Sequence, residues 1–226
     1  MRITRLVMIT AGWILGLAVL AAIRIAVAET SATNPAQALA RLMMGNQRFQ
    51  KNKLGHPDDD PARRRALVGG QSPFAVILSC SDSRVPPELI FDQGLGDLFD
   101  VRLAGNTVTR AGLESIDYAV SHLGTNLIMV LGHDGCGAVK GALTECASKS
   151  ATELPEIFAN ICPAVEQARK KSGADLESSA INLNVSEQVK ILERSPMFRT
   201  RVSEGTLKIV GARYNLESGK VDIFGR

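Results

Sequence analysis

Hydrophobic and polar positions follow two rhythms along this chain, and the chain switches between them several times. Phe74–Leu78 is an unbroken apolar run, "FAVIL", bounded by Pro73 and Ser79. A run that short and that apolar predicts a strand buried on both faces. "LFDVRLAG" (98–105) and "NLIMVLGH" (126–133) predict a second and a third strand. Between those two, Leu113, Ile116, Ala119, Val120 and Leu123 recur at helical spacing, and Gly124 closes the helix. From Gly137 to about Arg201 the pattern is helical, with breaks near 148–154, near 171–175 and at Pro196. "TLKIVGARYNLESGKVDIF" then predicts two strands turned at Ser218–Gly219.

Ahead of the first strand, Asn34 and Pro35 make a helix start, and Leu39, Leu42, Met43 and Phe49 share one face. Residues 51–72 predict a connecting loop around a short helix. Strands alternating with helices imply an α/β fold: a mostly parallel central sheet flanked by helices, with an N-terminal helical arm. No internal repeat or second boundary appears. Residues 29–226 read as a single domain, of which 29–72 are the arm and its loop.

The first 28 residues follow neither rhythm. Arg2 and Arg5 precede an uncharged run from Leu6 to Ile23, and "AVA" at 26–28 places small residues before a cut. These three parts predict a secretory signal peptide, and so an exported protein, periplasmic or secreted. An uncleaved anchor facing outside the cytoplasm is the alternative, since the run nears the lower limit for a membrane span. Arg24, which interrupts the apolar stretch, favours cleavage.

Export changes the reading of charge. The formal +3 of the chain resides in Arg2, Arg5 and Arg24, so the mature chain is neutral. Nothing electrostatic then argues for nucleic acid or anionic lipid as a partner. "RRR" at 63–65, following "DDD" at 58–60, reads as a solvated loop and helix face. Export also bears on Cys80, Cys136, Cys146 and Cys162, because an oxidising compartment permits two disulfides among them.

The polar residues at the strand ends separate those cysteines. Cys80, Asp82 and Arg84 follow the first strand at alternate positions; "GHDGCG" (132–137) follows the third. In an open parallel sheet, ligands bind at such ends, where the strand order reverses. His133 and Cys136 on a glycine turn, joined by Cys80, make two thiolates and one imidazole, a set suited to zinc. Three ligands leave a fourth position open, as in catalytic sites. Two other readings stand beside this one: structural zinc closed by Asp82, and a metal-free Cys80–Cys136 disulfide. Arg84 is placed to fork onto Asp82, keeping it ionised and away from the metal.

"CSDSRVPPELIFDQGLGDLFDVRLAGN" with "GHDGCGAV" resembles the β-class carbonic anhydrases, and "LMMGNQRF" and "GARYNLESGKVDI" extend the resemblance over most of the mature chain. It implies one zinc per chain on Cys80, His133 and Cys136, with Asp82 and Arg84 as a catalytic pair. It implies reversible hydration of CO₂ to bicarbonate by attack of zinc-bound hydroxide. Gln93 is similar to a substrate-binding glutamine given across a dimer interface. The resemblance further implies a homodimer or higher homo-oligomer, with the N-terminal helices clasping neighbours through the Leu39/Leu42/Met43/Phe49 face. Hydrolysis of CS₂ or COS, and a zinc scaffold without turnover, are the alternative functions. Some bacterial members hold inhibitory bicarbonate in a pocket with a tryptophan, and the only tryptophan here, Trp13, is in the leader. Cys146 and Cys162 match no ligand position, which leaves open a disulfide or two buried thiols.

Overall fold

A computed structural model describes residues 34–148, 153–171 and 175–224. The signal peptide expected at 1–28 lies outside the described residues. From Asn34 onward the chain is one compact unit. Among the described residues, no helix is long and apolar enough to cross a membrane.

Five strands form one sheet: β1 (Ala75–Ser79), β2 (Leu98–Arg102), β3 (Leu127–His133), β4 (Lys208–Tyr214) and β5 (Val221–Phe224), in the order β2-β1-β3-β4-β5. The first four are parallel, and β5 closes the sheet antiparallel to β4. This is the mostly parallel sheet that the apolar runs predict. β1 and β3 are buried along their whole length because helices cover both faces. Side chains alternate between those faces. Ala75, Ile77, Leu127, Met129 and Leu131 pack on one side, and Val76, Leu78, Ile128 and Val130 on the other.

The first face is covered by α1 (Pro35–Gln50), α3 (Pro87–Ile90), α5 (Gly137–Ser148) and α6 (Glu156–Lys170). The second carries α4 (Arg110–His122) and the Val185, Val189 and Leu192 part of α7 (Leu176–Arg194), whose Ala180 and Ile181 join the first. Two short helices complete the set, α2 (Pro61–Ala66) in the early loop and α8 (Arg199–Ser203) after Pro196.

The apolar face of α1 packs on the core of its own chain. Ala38 and Leu42 are fully buried in the first core, with Leu39, Met43 and Phe49 packed against it. Gly45 permits this approach, because a Cβ there would lie 1.7 Å from the Phe91 carbonyl oxygen. Buried Asn46 then donates to the carbonyls of Ile90 and Gly219 and accepts from the Val221 amide, fixing the helix to α3 and to the β4–β5 turn.

Cys146 of α5 and Cys162 of α6 form a disulfide, with Cα atoms 5.7 Å apart. That resolves the two readings left open for this pair. Cys80 and Cys136 are free and buried, so the Cys80–Cys136 disulfide is not formed.

Candidate metal centre

The chain leaves β1 toward β2 on one side, while β3 pairs on the other, so the strand order reverses between β1 and β3. Both polar clusters emerge there. Cys80 follows the last residue of β1, and His133 is the last residue of β3. Gly135, at φ +60°, turns the chain back so that Cys136 precedes α5.

This folding brings one Sγ of Cys80, one imidazole nitrogen of His133 and the Sγ of Cys136 within 4.8 Å of one another, all three residues buried. The His133 Nδ1 lies 2.8 Å from the Asp134 carbonyl oxygen, so it carries the proton and donates it there. Nε2 is then a lone pair, buried and without a hydrogen-bond partner. A buried acceptor left unpaired is costly unless something electrophilic meets it. Two sulfurs and that nitrogen fit a borderline-soft divalent cation such as zinc.

The electrostatics agree with that donor set. A hydrogen bond from the Cys136 thiol, opposed by burial, leads in pulling Cys80 down to about 4; His133 and the amides of Asp82 and Gly105 add to it. The same hydrogen bond, with burial, pushes Cys136 up. Cys80 is thus pressed toward the thiolate, the form in which a sulfur would hold a divalent cation. Burial presses His133 down, but the neighbouring Cys80 sulfur and the Asp134 carbonyl outweigh it and its pKa rises.

Asp82 lies beside the trio, its Oδ2 3.9 Å from His133 Nε2. Arg84 grips it with a fork, Nε to Oδ1 at 2.9 Å and Nη2 to Oδ2 at 2.7 Å, and its own amide adds a third bond. The fork, ahead of every other influence, holds the Asp82 carboxyl well below the usual carboxylate range. Arg84 also reaches the Gly135 carbonyl at 3.3 Å, which couples the two clusters. Gln93 does not join them. It is buried beside α3, its Nε2 donating to the Phe91 carbonyl at 2.7 Å and its Oε1 unpaired.

Three supporting residues escape a reading of the sequence. The Gly105 amide donates to Cys80 Sγ at 3.2 Å. Arg102 donates to the carbonyls of Cys80 and Asp82, setting the shape of the segment between them. Asp134 fixes the His133 ring. Arg102 left a trace in the sequence, a cation at the end of a predicted strand; the other two left none.

Comparison with known proteins agrees with this geometry. The carbonic anhydrase family matches residues 75–221. The chain is 42% identical over 194 residues to carbonic anhydrase 2 of Mycobacterium tuberculosis, covering 83% of this chain and 92% of that one. It is 39% identical over 197 residues to a carbonic anhydrase of Mycolicibacterium smegmatis, covering 84% and 94%. Among solved structures, the β-carbonic anhydrase CcaA superposes with a TM-score of 0.64 at 30% identity, covering 83% of this chain and 95% of that one. The match of sequence, sheet and strand-end trio together places this chain in the β-carbonic anhydrase family.

Proposed function

We propose that this protein catalyses the reversible hydration of CO₂ to bicarbonate and a proton, using one zinc ion per chain. The observation that carries the proposal is the buried Cys80/His133/Cys136 trio, with an unpaired His133 Nε2, beside an Asp82 that Arg84 keeps ionised. Cys80, Cys136 and His133 would hold the metal. Zinc, when bound, supplies the Lewis acidity that brings a water's pKa toward neutrality.

The chain's own groups supply the rest. Asp82, ionised and beside the trio, accepts a hydrogen bond from a reacting water and turns its lone pair toward the carbon of CO₂. Arg84 keeps that carboxylate charged and directed away from the metal position. Val85 and Val139 are buried in the same core cluster as the two sulfurs and give the site an apolar floor suited to a nonpolar gas.

Gln93 would serve a partner's site across a dimer interface. Its Oε1 is buried and unpaired, and Leu89 and Leu95, close to it in sequence, are exposed. Two β-carbonic anhydrases from Sordaria macrospora that share the fold are tetrameric. We further propose export, supported by the N-terminal pattern and by a Cys146–Cys162 bond of the kind that persists outside the cytoplasm.

Zinc content measured together with stopped-flow CO₂ hydration tests the proposal. About one zinc per chain and rapid hydration are expected. Zinc without hydration, or release of sulfide from CS₂ or COS in its place, would overturn it.

A further inference from the structure

We infer that Arg213 is a positioning residue for His133, acting through the carboxylate of Asp134. Arg213 lies in β4, in register with Gly132 of β3. Its Nε donates to Asp134 Oδ1, and Asn215 donates to Asp134 Oδ2 at 2.6 Å. The Asp134 amide donates to the Tyr214 carbonyl at 3.1 Å. Asp134 is therefore held at its amide and at both carboxylate oxygens. What remains is its carbonyl, and that is the group accepting the His133 Nδ1 proton at 2.8 Å.

Arg213 is itself braced from behind. Its Nη1 donates to Ser178 Oγ at 2.7 Å and to Asn182 Oδ1 at 3.1 Å, both on α7. A planar guanidinium spanning a carboxylate on one edge and a helix on the other has little freedom to turn. The chain of contact runs from α7 through Arg213 and Asp134 to a ring whose Nε2 joins the two sulfurs. Outer partners of this kind fix a ligand's tautomer and aim. A purely structural reading also exists, in which Arg213 only ties β4 to α7.

The inference rests on the metal reading of the trio, so the test measures zinc binding rather than turnover. Chelator competition gives the zinc Kd of the wild type and of Arg213→Ala, Asp134→Ala and the double variant. The Nδ1 proton of His133 is followed by NMR in the zinc-loaded proteins. Arg213→Ala is expected to weaken zinc about tenfold and to speed exchange of that proton. Arg213→Ala is expected to add little once Asp134 is alanine, because the two act in series. An unchanged Kd, or losses that add in full, would leave Arg213 a structural tie and overturn the inference. If Arg213→Ala does not fold, Asn215→Ala removes only one of the side-chain donors to Asp134 and should weaken zinc about threefold; no change there would overturn it equally. A wild type that binds no zinc refutes the metal reading itself, which is a distinct result.

Discussion

Four cysteines serve two purposes in this fold, and their partners decide which. Cys146 and Cys162 sit on adjacent helices, α5 and α6, and are joined. Cys80 and Cys136 sit at a strand end and in a turn, more deeply buried than Cys146, and are free. The second pair is surrounded by groups that want a thiolate: the Gly105 amide on Cys80, and an imidazole with its lone pair inward. With the proposed export both pairs would be oxidisable, and the metal proposed for the second would hold it reduced.

The largest effect should come from removing a member of the trio. Cys80→Ser or His133→Ala is expected to reduce both zinc content and CO₂ hydration to background. Zinc retained at wild-type stoichiometry in either variant would sink the assignment of that ligand. Arg84→Ala should then separate holding from chemistry. Hydration falls about 100-fold while zinc content stays near wild type, because Arg84 touches Asp82 rather than the trio. Full turnover without Arg84 would remove Asp82's partner from the mechanism.

The joined pair should behave oppositely. The double substitution Cys146→Ser with Cys162→Ser opens a cross-link between residues 16 apart, worth about 3 kcal/mol. A fall in melting temperature of roughly 6–12 °C is expected, with zinc stoichiometry unchanged. Loss of zinc in this variant would merge the two roles and break the contrast.

The sequence displayed one of these roles far better than the other. C-x-D-x-R and H-x-x-C stand directly after the apolar runs that become β1 and β3, so the trio and the Asp82–Arg84 pair could be placed on one sheet edge. The disulfide could not be chosen over two thiols, because it depends on how α5 packs on α6. The stripe of α1 announced that it packs, but its seat came from Gly45 and Asn46 meeting Phe91, Ile90 and Gly219. Supporting contacts were equally hidden: Gly105 reaches Cys80 across 25 residues, and Arg213 reaches Asp134 across 79. Local pattern reports strands and their ends; it does not report which distant residues meet there.

The aspartates repeat the contrast on a smaller scale. Asp82 has a guanidinium and its pKa falls; Asp100 of β2 has burial and Glu88, and its pKa rises to about 8. Burial is the larger cause, the neighbouring carboxylate the next, and Arg102 only partly offsets them. Its Oδ1 is buried without a partner. For an acid raised from 3.8 to about 8, both states are protonated below pH 4 and the group costs nothing. As pH climbs from 4 toward 8 the unfolded chain ionises first, so stability drains away, and the full cost is present above pH 8. Asp100→Asn cannot ionise and should escape it. Its melting temperature relative to wild type should be a few degrees higher at pH 9 than at pH 5. An equal difference at the two pH values would mean that Asp100 finds a cation in the assembled protein, and that burial beside Glu88 does not govern it.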